Sequence, residues 1–347
     1  MMRAMSPSVL LLHNLPSEEP LFRAACGASD AGVSQAVRHV AEALAAWQWP
    51  HRVAGVRHLT ELPVVLQAGA ESVVFNLVER LDGGEQECSF VPAICRAFGR
   101  ACTGGTAESL VLTLDKDLTK RRLSAHGVRT PAGVVVPVGT RVPDALPGGA
   151  WFVKPLSSDG SEGIELDSLI HGGDRTALAA AVARVHAKLG QAALVEEFIA
   201  GREFNLSIVE GAGQVVPLPV SEIDFALFPK GRPHFVDYAV KWQPGLIAGQ
   251  VSPRRVPAQV DDALAARLRA VARHAWQACG CQDYARVDTR LDAAGEIYVL
   301  DVNINCDLSP LAGLPAAWQA TGAPFAAFVR QMIENACRRK SANHDTL

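Results

Sequence analysis

The sequence predicts an α/β protein of two or three lobes, led by a doubly wound parallel sheet. Three observations carry this. Short apolar runs alternate with amphipathic stretches through the first third of the chain, the pattern of a parallel sheet covered by helices on both faces. A strand–turn–strand segment at 284–303 reads as an antiparallel hairpin, which a purely parallel fold lacks. The chain has 347 residues, 49% of them hydrophobic, enough to bury more than one core.

In chain order, residues 9–12 read as a buried strand and 30–47 as a helix capped by Ser29. Residues 53–56 and 73–77 are further strands, and 86–98 a second helix, so that 1–105 forms the first lobe. Helices follow at 106–114 and 115–126, with Gly127 as a C-cap. Strands are expected at 133–137, 151–154 and 194–198, with an alanine-rich helix at 174–189 between the last two. A β-rich stretch runs from 203 to 256, including a long polar loop at 241–255. Helices at 259–279 and 324–338 bracket the hairpin, the latter with proline at its first turn, where a missing N–H costs nothing.

A net charge of −3 gives no electrostatic case for nucleic acid or an anionic membrane. No run approaches the ~20 apolar residues of a membrane span. The eight cysteines are scattered, and Cys279-Gly280-Cys281 lacks a second ligand pair, which argues against zinc and for reduced thiols. A cytoplasmic protein acting on small molecules is expected, and nothing in the chain excludes a homodimer.

The hairpin carries the most chemistry. Folding the chain about Ala294-Gly295 brings Asp288 and Asp301 opposite one another. Side chains alternate, so Asp301 shares a face with Asn303, and Arg286 with Asp288. Three oxygen ligands beside one arginine suit Mg²⁺ or Mn²⁺ with places left for phosphate oxygens. Upstream, Lys154 ends an apolar strand and enters a loop containing Gly160 and Ser161, whose amides and hydroxyl could meet phosphate. Such a loop alone is equally a plain turn. The strand ending in Glu196 and Glu197, with Ile199 and Glu203 beyond it, could take an adenine edge and a ribose, or be a polar-ended edge strand. Lys116 and Lys120 lie one turn apart, by default on a solvated helix face. Lys241 falls in a loop from which it could approach a transferred phosphate.

DKDLTK at 115–120, FVKP at 152–155, LVEEFIAGREF at 194–204, YARVD at 284–288 and IYVLDVN at 297–303, in this order, resemble the ATP-grasp superfamily and within it the D-alanine–D-alanine ligase family. The resemblance implies an ATP-grasp fold: the N-terminal lobe, a central subdomain at 106–195, and a C-terminal subdomain at 196–340 that clasps ATP with it, before a tail at 341–347. It implies an ATP- and Mg²⁺-dependent ligase, with two ions, that makes an acyl phosphate from a carboxylate and joins it to an amine. By motif, Lys116, Lys154, Gly160 and Ser161 would hold phosphates, and Glu196, Glu197, Ile199 and Glu203 the adenosine. Lys241 would meet the γ-phosphate. Asp288, Asp301 and Asn303 would hold metal, with Asp301 where the family usually has Glu, and Arg286 would stabilise charge developing in the tetrahedral intermediate.

The substrate positions depart from the family pattern. The N-terminal substrate-gripping motif is not visible at 13–19, and Glu79-Arg80 stands where His-Gly is usual. Asp307 takes a glycine position and Ala312 a serine position. These changes predict that D-alanine alone gives little dipeptide. The expected acceptor lacks a free α-carboxylate or carries an extra cation. An authentic D-alanine–D-alanine ligase and an inactive ATP-binding module are the alternatives, the second disfavoured by the retained Arg286.

Overall fold

The computed structural model describes residues 6–84, 86–146, 149–211, 213–242 and 253–344. The first lobe contains β1 (Val9–Asn14), α1 (Pro20–Ala46), β2 (His51–Val56), α2 (Leu62–Gln67), β3 (Val73–Leu77), α3 (Val91–Ala97) and β4 (Ala101–Cys102). Its strands are all parallel in the order β2-β1-β3-β4. Leu10, Leu12 and Val74 pack against α2 and α3, while Val9, Leu11 and Phe75 face α1 on the other side. The doubly wound reading therefore holds. Helix α1 begins ten residues before the expected start, with Pro20 at its first turn, and Ser29 lies inside it rather than capping it. Its anchoring residues Val40 and Leu44 are fully buried, and Gly27 and Gly32 do not break a helix held at its other end.

α4 (Ala107–Leu114) and α5 (Lys116–Ala125) follow, capped by the side chains of Thr106 and Asp115. Leu110, Leu123 and Val128 bury this pair against the C-terminal core, although the sequence groups it with the central lobe. The central sheet is antiparallel, built from β5 (Gly133–Val136), β6 (Trp151–Pro155), β7 (Leu169–Ile170) and β8 (Ala193–Glu197) in the order β5-β8-β6-β7. It is covered by α6 (Arg175–Leu189), which Asp174 caps and Gly190 ends in the left-handed region.

The C-terminal sheet contains β9 (Arg202–Gly211), β10 (Gln214–Pro217) and β11 (Ser221–Ile223). After the short α7 (Tyr238–Trp242) come β12 (Arg254–Arg255) and α8 (Asp262–Cys279), and then the hairpin strands β13 (Tyr284–Leu291) and β14 (Ile297–Asn303). The order is β12-β11-β9-β13-β14, with β10 also on β9. Gly201 makes the turn between the central and C-terminal sheets possible: a Cβ there would lie 2.0 Å from the Leu291 carbonyl. α9 (Gly313–Gln319) and α10 (Phe325–His344) close the chain, and α10 returns to the N-terminal sheet. Among the described residues no helix is long and apolar enough to cross a membrane.

Candidate active site

The hairpin forms with the expected register. Asp288 pairs with Asp301 and Arg286 with Asn303, followed by an irregularity after Asp288. The Arg286 guanidinium forks the Asp288 carboxylate at 2.8 and 2.9 Å, and Asn205 and Asn303 donate their amides to it at 2.7 and 3.1 Å. Burial works against the Arg286 charge, but Asp288 outweighs it and holds the guanidinium more firmly charged than usual. Asp301 accepts a bond from the Val302 amide at 3.0 Å. Burial, and then Asp159 and Asp288, push its carboxyl up, with Lys116 and Lys154 opposing. Among the described residues no three His, Cys, Asp or Glu side chains group as a metal site. Two carboxylates and an amide remain, an oxygen set that fits a hard cation sharing its shell with phosphate.

The lysines meet this patch from the other side. Lys116, at the first position of α5, donates to the Ser158 carbonyl at 2.6 Å and so ties the helix to the Gly/Ser loop. Glu196 lies between two lysines: Lys154 contacts its Oε1 at 2.8 Å and Lys120 its Oε2. Lys116 and Lys120 are 5% and 7% exposed, so the expected solvated face is a buried one. Glu196, expected beside the adenine, has both carboxylate oxygens engaged by lysines, because β8 sets it against α5. Burial would raise its carboxyl, yet Lys154 and Lys120 together hold it below the usual range. The two lysines diverge: burial lowers Lys120, whereas Lys154 overcomes burial through Glu196 and Asp301 and is raised.

Gly160 and Ser161 both have positive φ, 68° and 61°, which turns the loop sharply into the cavity. Ser161 donates its hydroxyl to the Val236 carbonyl, and the Trp242 indole donates to the Gly160 carbonyl at 2.8 Å. Lys241 sits on the helical turn of α7, not in a loop, because Asp237 accepts the Val240 amide and starts that turn. Burial and Arg286 lower its ammonium, opposed by Asp307 and Glu79. Residues 243–252 of the expected loop lie outside the described residues.

Glu197, Ile199 and Glu203 line the same cavity, whose volume is about 600 Å³. Phe152, Phe198 and Phe235 cluster there with ring centroids 5.1–6.4 Å apart. The sequence reading missed Arg290, which is 2% exposed and donates to Glu203 Oε2 at 2.8 Å and to the Ile199 carbonyl at 2.9 Å. Its guanidinium lies over Phe198 at 4.7 Å. Strand alternation places it on the face of Asp288, the one signal available.

The residues expected at substrate positions gather where the lobes meet. β1 and β3 diverge to opposite sides at their carboxyl ends, the switch point at which doubly wound sheets leave a crevice. Glu79 follows β3 there, its amide on Asn14 Oδ1 at 3.0 Å, and lines a smaller cavity of about 80 Å³ with Arg286 and Asp307. Arg80 pairs with both oxygens of Glu162 at 3.0 and 3.1 Å, joining this lobe to the Gly/Ser loop. Desolvation, then Asp307, raise the Glu79 carboxyl, opposed by Lys241. Its surface nevertheless remains open to water in the cleft, which moderates the desolvation. Asp307 accepts the Ser309 amide and hydroxyl at 2.7 and 2.9 Å. Ala312 stands at the N-cap of α9 and caps with no side chain. Arg254, a second residue the sequence reading missed, donates to the Leu311 carbonyl at 3.2 Å and to Asn205 at 3.3 Å. Burial and the nearby Arg286 bring it down to about 10. A Cβ on Gly313 would come within 3.2 Å of Arg286, so glycine keeps this corner open.

Two antiparallel lobes closing on lysines, carboxylates and a glycine-rich loop define an ATP-dependent ligase of the ATP-grasp class. The fold is that of the D-alanine–D-alanine ligase from Bacillus anthracis complexed with ATP, at a TM-score of 0.73 and 17% identity over 97% of this chain and 99% of that one. Residues 150–334 match the family model described as D-ala D-ala ligase C-terminus. An uncharacterised protein, y4sG, of Sinorhizobium fredii is 32% identical over 80% of this chain and 78% of its own. A D-alanine–D-alanine ligase of Syntrophotalea carbinolica is 32% identical over 69% and 71%. Another, from a Synechococcus strain, is 30% identical over 83% and 84%. The chain belongs to the D-alanine–D-alanine ligase family, whose members form carbon–nitrogen bonds with ATP and generally use Mg²⁺.

Proposed function

We propose that this chain activates a small carboxylic acid as its acyl phosphate and joins it to an amino-acid acceptor that carries an additional cationic group. The observation behind the ligase chemistry is the meeting, in one cavity, of Lys116, Lys154, Lys241 and Arg286 with Asp288, Asp301 and Asn303. Lysines on one side would neutralise phosphate oxygens, and the hairpin carboxylates on the other would hold Mg²⁺. The metal supplies charge neutralisation on the phosphates when bound. Lys116 and Lys154 would orient the chain of phosphates, Gly160 and Ser161 would cover it, and Lys241 would face its transferred end. Glu197, Ile199, Glu203 and the phenylalanines would take the adenosine. Arg286, once drawn from Asp288, would meet the oxyanion of the tetrahedral intermediate, where a fixed charge acts most strongly.

Donor selectivity would rest on Glu79, whose carboxylate favours an acid bearing an ammonium or hydroxyl. On the acceptor side, Arg254 changes the sequence-based expectation. A carboxylate near Asp307 has a guanidinium to meet in place of the serine hydroxyl that Ala312 lacks. Asp307 then favours a further cation on the acceptor, the second of the two acceptor types expected from sequence. Among the described residues seven cysteines are free, which is consistent with a reducing compartment, and we assign the protein to the cytoplasm, where ATP is supplied. D-alanine dimerisation is the second reading, favoured because Glu79 and Arg254 could hold the two ends of a pair of zwitterions. The deciding experiment measures ATP-dependent phosphate release over a panel of amino acids and small acids, singly and in pairs, with products weighed by mass spectrometry. Strong product with a cation-bearing acceptor and little with D-alanine alone is expected. Efficient D-alanyl-D-alanine synthesis at low D-alanine would overturn the first reading in favour of the second.

A further inference from the structure

The Gly/Ser loop is gripped from more than one lobe. Lys116 and Trp242 hold its Ser158 and Gly160 carbonyls, and Ser161 reaches the Val236 carbonyl, all contacts with later parts of the chain. From the first lobe comes Arg80, whose Nη1 lies between both carboxylate oxygens of Glu162 at 3.0 and 3.1 Å. The two side chains are only 17% and 8% exposed, which spares the pair much of the screening that weakens a surface ion pair. The Glu162 amide closes a turn on the Asp159 carbonyl at 3.1 Å, so Glu162 moves with Gly160 and Ser161. Glu79 immediately precedes Arg80. One ion pair therefore joins the residue beside the proposed acid to the loop beside the proposed phosphates. A glycine, which the family pattern puts at position 80, could make no such contact.

We infer that Arg80 is a positioning residue: through Glu162 it lets the first lobe hold the Gly/Ser loop over the nucleotide, and so fixes the loop relative to the acid at Glu79. The inference rests on the assignments of Glu79 to the acid and of Gly160 and Ser161 to phosphate made above. The pair contributes in two ways. It orders the loop in advance, so that ATP need not supply that ordering on binding. It also keeps water from the acyl phosphate, which water would otherwise hydrolyse before the amine reacts.

Two measurements test this: Mg²⁺·ATP affinity by titration calorimetry, and phosphate released per amide formed with the acid–amine pair that gives most product in the panel above. Wild type should release one phosphate per amide. Arg80→Met and Glu162→Ala should each bind ATP roughly three- to tenfold more weakly and release on the order of three to ten phosphates per amide. The double variant should be no worse than either single one, since each removes the same contact. Arg80→Lys should stay within about threefold of wild type on both counts, because the contact uses one nitrogen, which an ammonium can replace. A folded Arg80→Met protein with wild-type affinity and stoichiometry overturns the inference, as do losses that multiply in the double variant. So does a fall in turnover with one phosphate still released per amide, the result of general damage. Glu162→Ala decides in the same way if Arg80→Met fails to fold. If wild type forms no amide with any pair in the panel, the ligase reading fails, and the affinities alone then decide whether Arg80 and Glu162 hold the loop.

Discussion

The proposed nucleotide half of the cavity and its proposed substrate half are built differently. The nucleotide half draws largely on regular strands, and three of its carboxylates already have fixed partners: Glu196 between two lysines, Glu203 on Arg290, Asp288 on Arg286. The substrate half is assembled from chain ends and turns, at the exit of β3, the start of α9 and the short strand β12. There, Glu79 lines the smaller cavity, Arg254 the larger one, and Asp307 both. Buried charges held by neighbours tolerate little change, because removing one strands the next. Charges on turns beside water can be exchanged at small cost, and that is where the sequence-based expectation puts this chain's departures from its family.

If the halves are separate in function as in construction, mutations should sort by half. The largest effect is expected at the metal patch. Asp301→Ala should reduce Mg²⁺- or Mn²⁺-dependent turnover by about 10³-fold or more while the protein keeps its melting temperature. Full activity in that folded variant would remove the metal assignment. Next, Arg286→Ala should lower kcat on the order of 10²–10³-fold with ATP affinity nearly unchanged, because its partner charge develops only in the transition state. Lys154→Ala should instead weaken ATP binding, and equal losses of affinity in both would erase the distinction. Smaller again, Arg254→Ala should raise KM for the acceptor about tenfold and leave KM for ATP alone. A matching rise for ATP would show that the halves are coupled through Asn205, which both Asp288 and Arg254 touch.

The smallest effect concerns pH. Glu196 is held below its ordinary value of 4.5, so its pairing contributes stability that is complete above that value and is lost as pH falls through the lower native one. Glu196→Gln should flatten the acid side of the melting-temperature profile, and an unchanged profile would mean that the ion cluster adds nothing to stability.

What was legible in the sequence follows the same division. The hairpin could be read residue by residue, since alternation and a polar turn with glycine fix register locally. Strand β3 was read to the residue for a similar reason, as a continuous apolar run in a parallel sheet. Lys120 was misread because i,i+4 spacing says that two lysines share a face, and not what that face meets. Arg254 was invisible because its place depends on β12 reaching the start of α9, some sixty residues onward in the chain. Arg290 shares a strand face with Asp288, but its stacking partner Phe198 lies just past the end of β8 of the central sheet. Local periodicity carries no information about such meetings.

The N-terminal sheet has two faces with different histories. One is covered by α2 and α3, which the ribosome delivers within a few dozen residues of the strands they protect. The other has α1 over part of it, but Phe328, Met332 and Ile333 of α10 complete the cover. Some 250 residues separate β3 from that helix, so during synthesis Val9, Leu11 and Phe75 wait for a lid that emerges at the far end of the chain. At 5–20 residues per second the wait is on the order of 10–50 s, long compared with hydrophobic collapse. A nascent chain stalled before α10 would therefore present an apolar sheet face to its surroundings, and this protein's dependence on chaperones should be set by its last helix rather than by its first lobe.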